Sequence, residues 1–178
     1  MHSLEELYER YSGAVFDYLH RMSGDRHLAE DLTGETFYRA MLSIDGFRGE
    51  ASVKTWLLRI ARNLFLRRME REKRTSSFEA LEERGVPLAA RGPDPETKVM
   101  QDEHGEAVRR ALLSLPEIDR SILLLSAHEK LRCRDIADVL NVSVTAAKVR
   151  LYRARRRLAE ALEREGAWPA KTDDEKQR

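Results

Sequence analysis

The chain has a single cysteine among its 178 residues. Cys133 alone can build neither an internal disulfide framework nor a cysteine-based metal cluster, so it reads either as a buried thiol or as a redox sensor. Histidines are scattered: His2, His20, His27, His104 and His128 include no pair at i, i+4 on one helix face, and no carboxylate set suited to a metal goes with them. There is no Gly-rich phosphate loop and no Gly-x-Ser-x-Gly elbow, and the acid pairs Glu5/Glu6 and Glu82/Glu83 read as solvated faces. No apolar run reaches membrane-spanning length and no secretory pattern follows Met1, so a cytoplasmic protein without membrane insertion is expected. Strand alternation and long repeats are missing as well. These absences leave an all-α chain that binds rather than catalyses, with no catalytic, cofactor-binding or metal-binding set expected.

What the chain does have is charge, and it is segregated. A composition of 42% hydrophobic and 35% charged residues supports a modest core, in one domain or two small ones. The net charge of +1 conceals the pattern. Residues 1–36 carry eight acids against three arginines, whereas residues 54–74 carry eight bases against two acids. Residues 75–103 are acidic again, and residues 144–158 hold six bases and no acid. Two basic patches with acidic sequence between them suggest two separate contacts with a polyanion.

Apolar spacing divides the chain into helices. Leu4 to Met22 recurs at three- and four-residue steps behind a Ser3/Glu6 capping box, and Gly24 ends that helix. A second helix, about His27 to Ile44, is capped by Asp25 and packs through Ala29, Leu32, Thr33, Thr36, Phe37, Ala40 and Ile44. Its other side lines up Asp31, Glu35, Tyr38 and Leu42, which fits either a protein-docking surface or a solvated acidic stripe. A loop with two glycines and Phe47 follows, and Ser52 caps a third helix over about Val53–Arg71. Trp56, Arg59, Asn63 and Arg67 share one flank of it. That row can stack on bases, neutralise phosphate and bond base edges; the plainer reading is a core tryptophan beside solvated arginines.

The expected organisation is residues 1–74 as one helical domain and 75–103 as a flexible acidic linker, with a short helix conceivable around Phe78–Arg84. Residues 104–165 form a second domain and 166–178 an unstructured tail anchored only by Trp168. Pro116 opens a helix in the second domain, with Glu117 and Asp119 well placed in its first turn. Asp135–Leu158 then reads as a helix-turn-helix. Asn141 supplies the left-handed turn and Ser143 caps the next helix. Advancing about 100° per residue, Ala147, Leu151, Ala154 and Leu158 fall on the packing side. Thr145, Lys148, Val149, Tyr152, Arg153 and Arg156 fall on the other, a face suited to a major groove.

Four stretches taken in order carry a family resemblance: AEDLTGETFYRA (29–40), FRGEASVKTWLLRIARNLFLRR (47–68), LPEIDRSILLL (115–125) and the helix-turn-helix. Together they resemble a bacterial RNA polymerase sigma factor of the extracytoplasmic-function group, over about residues 4–74 and 106–162. The resemblance implies a protein that binds core polymerase, through its β and β′ subunits, and directs promoter recognition and opening. The alternative is a stand-alone helix-turn-helix regulator of duplex DNA. By the same resemblance, Asp31, Leu32, Glu35, Phe37 and Tyr38 would dock on core polymerase, with Gly34 standing where Gln is usual. Phe47, Arg48, Trp56, Arg59, Asn63 and Arg67 would take the promoter −10 element as its strands part. Thr145, Lys148, Val149, Tyr152, Arg153 and Arg156 would read the −35 duplex. Many relatives are held inactive by a partner anti-sigma protein, although no residue here singles one out.

Overall fold

The computed structural model describes residues 4–82 and 103–166, and all of the regular structure among them is helical. Three helices make the first domain. Helix α1 (Leu4–Ser23) ends where Gly24 takes a positive φ of 70°, and its amide closes the last turn onto the His20 carbonyl. Helix α2 (Arg26–Ser43) starts as expected, the Asp25 carboxylate accepting from the Leu28 amide at 3.0 Å. Its buried Thr33 and Thr36 satisfy their hydroxyls by donating to carbonyls one turn back, each at 2.7 Å. A 3₁₀ turn (Ile44–Gly46) leads to helix α3 (Val53–Glu82).

Helix α3 corrects the expected boundary. It runs eleven residues beyond Arg71, through the beginning of the segment read as linker, and the helix suggested near Phe78 is its last turns. The apolar period fades there because the helix leaves the core: residues 70–75 are all exposed, so no apolar stripe is required. A surface Arg68–Glu72 pair at i, i+4 (3.0 Å) supports the helix where it leaves the core. The Ser3 cap, residues 83–102 of the expected linker, and the tail with Trp168 lie outside the described residues.

The second domain stacks shorter helices. Helix α4 (Glu103–Ser114) meets α5 (Glu117–Leu123) across Pro116, and a π turn (Leu124–His128) prolongs α5. Lys130, with φ of 55°, then bends the chain into α6 (Cys133–Leu140). Asn141 adopts φ 54°, ψ 52° after α6, which is the left-handed turn expected of it. Ser143 caps α7 (Val144–Arg164), its hydroxyl accepting from the Ala146 amide at 3.1 Å. Ala147, Leu151 and Ala154 are buried as predicted, with Leu158 partly so.

Arg120 is the polar hub. Its guanidinium donates to the carbonyls of Leu112 (3.1 Å), Leu113 (3.0 Å) and Leu115 (3.1 Å), and across the molecule to that of Met22. These carbonyls belong to helix ends that would otherwise be orphaned on burial. The two domains also share one apolar core, in which Tyr18, Leu58 and Phe65 are continuous with Ile122, Leu125 and Ile136. That sharing was not expected from the sequence.

Candidate nucleic-acid and polymerase interfaces

Three surfaces gather the residues singled out above. The first is the outer side of α2, where Asp31, Glu35, Tyr38 and Leu42 are all exposed, Tyr38 at 58% and Leu42 at 67%. Leu32 and Phe37 do not join them: they are 3% and 4% exposed and pack inward. Turning about 100° per residue puts both on the arc that contains Ala29, Thr33, Thr36 and Ala40. They pack inward and hold α2 in place, so the expected docking surface loses these two members. Two residues missed on the sequence widen the patch instead. Met41 is exposed, and Tyr8 from α1 sits edge-on to Phe37 at 4.9 Å while remaining 49% exposed. Tyr8 was legible only as one more member of the α1 apolar stripe. Glu35 is paired with Arg39 at 3.0 Å, whereas the Asp31 carboxylate has no partner among the described residues.

The second surface lies at the start of α3. Ser52 Oγ accepts from the Thr55 amide at 3.1 Å and pairs with the Thr55 hydroxyl at 2.8 Å, which fixes where the helix begins. Gly49, with φ of 72°, turns the loop back towards that cap. As a result Phe47 lies against Trp56, ring centroids 4.8 Å apart and planes tilted by 35°. Both rings are half-buried, so neither of the two readings of Trp56 holds alone: one part of the ring packs and the rest remains open. Arg59, Asn63 and Arg67 continue the flank and are exposed, as is Arg48 in the loop. Aromatic platform, amide and cations therefore lie in one row.

The third surface is α7. Thr145, Lys148, Val149, Tyr152, Arg153 and Arg156 are all exposed, with Val149 at 46% and Tyr152 at 64%. Beside them an open cleft between α5 and α7 is lined by Asp119, Thr145, Val149, Arg150, Arg153 and Arg157. Arg157 is bound to the buried Asp119 carboxylate, which anchors α7 to α5. Arg150, half-buried at the cleft, was not among the expected readers.

No group of three or more potential metal ligands occurs among the described residues, and no described helix is long and apolar enough to cross a membrane. Cys133 is half-buried.

Comparison with known proteins gives a consistent picture. Residues 7–75 match the family described as Sigma-70 region 2, and residues 105–158 match Sigma-70 region 4. The RNA polymerase sigma factor YlaC of Bacillus subtilis is 30% identical over 153 residues, covering 86% of this chain and 88% of its own. The ECF RNA polymerase sigma factor SigW of the same organism is 30% identical over 164 residues, covering 88% and 87%. Among solved structures, the sigma factor RpoE in complex with the anti-sigma factor NepR from Bartonella quintana superposes with a TM-score of 0.73. It is 25% identical, and the match covers 89% of this chain and 96% of that one.

Proposed function

The chain belongs to the extracytoplasmic-function group of bacterial RNA polymerase sigma factors, which direct transcription initiation, and from that premise we propose how its three surfaces divide the work. The α2 patch of Asp31, Glu35 and Tyr38, widened by Tyr8, Met41 and Leu42, docks on core polymerase. Acids beside exposed aromatic and aliphatic groups suit a basic, partly apolar partner. The flank from Phe47 and Arg48 through Trp56, Arg59, Asn63 and Arg67 takes the −10 element in its opened form. Unpaired bases expose π-faces that a half-open tryptophan can stack, while the arginines neutralise the backbone. The face of α7 enters the major groove of the −35 duplex. There Arg153 and Lys148 can bond guanine edges, and Val149 can pack on a thymine methyl.

The observation that carries this division is the placement of two exposed basic faces on separate domains, only one of which is joined to an aromatic platform. The polymerase supplies the chemistry; the chain positions and opens the DNA. Its site of action is the cytoplasm, where the template is. The likeness to a sigma factor crystallised with an anti-sigma factor supports an anti-sigma protein as a further partner.

Run-off transcription with purified core polymerase, with and without the chain, tests the proposal. A promoter-specific transcript is expected only when the chain is present. Duplex binding without any transcript on a cognate promoter would favour the stand-alone regulator. The docking surface has its own test: Asp31→Lys should weaken core binding in a titration while leaving the folded helix content intact, because Asp31 is exposed and bonds to no described residue. Unchanged affinity would remove that patch from the interface.

A further inference from the structure

We propose that the −10 face continues along α3 past the core, and that Arg71 and Arg74 bind phosphates of the duplex immediately upstream of the −10 element. The proposal rests on the assignment of the flank from Phe47 to Arg67 to the −10 element, and it extends that flank by two residues.

Helix α3 outruns its own packing. It spans Val53–Glu82, yet residues 70–75 have no buried side. At about 100° per residue, Trp56, Arg59, Asn63, Arg67, Arg71 and Arg74 all fall within an arc of about 120°. Every one of these except the half-buried Trp56 is exposed. The stripe that begins at the aromatic platform therefore does not stop where the core stops.

Ion pairing separates this stripe from the rest of the shaft. Arg68 is bonded to Glu72 at 3.0 Å and Lys73 to Glu117 at 3.2 Å, and both cations lie outside the arc. Arg67, Arg71 and Arg74 have no side-chain partner among the described residues. They stand at i, i+4 and i, i+3 spacings, where like charges repel and weaken a helix. Glu70, at the edge of the arc, bonds to none of them. A row of uncompensated cations, beside cations that are compensated, fits a partner that brings its own negative charge.

Continuity and direction identify that partner. The row runs on from side chains assigned to the −10 strand, so the same polyanion is within reach. The chain then leaves α3 for the domain assigned to the −35 element, which lies upstream. The far end of the helix is thus directed to the duplex between the two elements. Arg67 and Arg74 stand about 10 Å apart along the helix axis, which spans about three base-pair steps of one strand. Phosphate contacts of this kind carry no sequence information; they fix the register in which the platform meets its bases.

The test uses the full chain bound to core polymerase, on promoter DNA already unpaired across the −10 element. Affinity is measured on natural DNA, on DNA with neutral methylphosphonates just upstream of that element, and on DNA with the spacer bases scrambled. The Arg71→Ala, Arg74→Ala double variant should bind natural DNA on the order of ten-fold more weakly, its slope of log affinity against log salt shallower by about two. Neutralising the phosphates should cost wild type the same factor and the double variant nothing further. Scrambling the spacer should change neither protein's affinity. Glu70→Gln should tighten binding several-fold, since it removes an acid from the arc, and Arg68→Ala should match wild type. The contact is overturned if wild type is insensitive to neutralised phosphates, a result that no misfolded variant can mimic. It is also overturned if the double variant binds as wild type does, loses as much on neutralised DNA as wild type, or is matched in its loss by Arg68→Ala. A scrambling effect seen in wild type alone would make the arginines base readers and reject the phosphate assignment. Run-off transcription by wild type is recorded on the same DNA. Transcript without any variant effect rejects this contact alone, whereas no transcript rejects the reading on which it rests.

Discussion

The faces of α3 and α7 proposed to read DNA are both basic and both helical, yet they are built differently. On α3 the tryptophan leans on Phe47 from a glycine-turned loop, so the row begins in a half-buried aromatic platform and ends in exposed cations. On α7 the face is a run of exposed side chains, capped by Ser143 and braced from behind by the Arg157–Asp119 pair. A half-open aromatic platform suits single bases presented out of the stack; a helix with exposed polar and basic side chains suits a groove. Positive charge alone would have made the two look interchangeable. What stands behind the charge separates them.

The same contrast extends to the domains. The first is three long helices around aromatic and aliphatic side chains, whereas the second joins short helices through turns and depends on a buried arginine for its polar accounting. The largest expected effect follows from that. Arg120→Ala should destabilise the second domain by about 3–5 kcal/mol, because the Met22 and Leu115 carbonyls in buried bonds and the part-buried Leu113 carbonyl lose this donor at once, while that of Leu112 keeps the Leu115 amide. Thermal melting with separate probes in each domain checks it. An equal loss in both domains would show that the shared core makes them one cooperative unit.

Next in size is the platform. Trp56→Ala should weaken binding to single-stranded −10 DNA by about 1–3 kcal/mol, the range for losing one stacked base, while −35 duplex binding is unchanged. Trp56→Phe should recover much of the loss. Equal effects on both DNAs would erase the distinction between the two faces. Arg153→Ala probes the α7 face: about 1–2 kcal/mol of discrimination between matched and scrambled −35 sequences should disappear. If both sequences lose affinity equally, Arg153 is a phosphate contact and carries no sequence information.

The smallest effect is a pH dependence at the join. Burial, then the neighbouring cations Arg109, Arg21 and Arg26, hold the His20 imidazole below its ordinary value of 6.5. The unfolded chain therefore takes up this proton first as pH falls. Stability from a neutral His20 is present above about pH 6.5 and is lost as pH drops through the lower folded value. Melting temperatures followed from about pH 8 to about pH 5 should fall less steeply for His20→Gln than for wild type. An identical slope would place the acid sensitivity elsewhere. Tyr18, in the same join, is pushed up to about 12 chiefly by burial, so its phenol stays neutral throughout that range.

Local rules made much of this legible. Asp25, Ser52 and Ser143 were readable as caps because an N-cap needs only a short acceptor ahead of a periodic run, and Asn141 because few side chains tolerate a left-handed turn. The exposed arcs of α2, α3 and α7 followed from the helical period. Where a motif was carried over whole, as with Leu32 and Phe37, its buried members came along with its exposed ones, and only packing sorted them. The extension of α3 escaped notice because a solvated helix has no apolar period to read.

What the sequence determined by itself is an all-α chain with two basic faces, their caps, and the residues on each face, because helix starts, stops and sides depend on neighbours a few positions away. What only the tertiary structure decided is how those faces are held. Tyr18 meets Ser121 across 103 positions, Lys54 meets Glu129 across 75, and Arg62 is buried with its Nε bonded to nothing. No local period encodes such pairings, since each depends on where two independently formed helix stacks come to rest against one another. The α2 patch, the tryptophan platform and the α7 face were present in the string of residues; the contacts between the two domains were not.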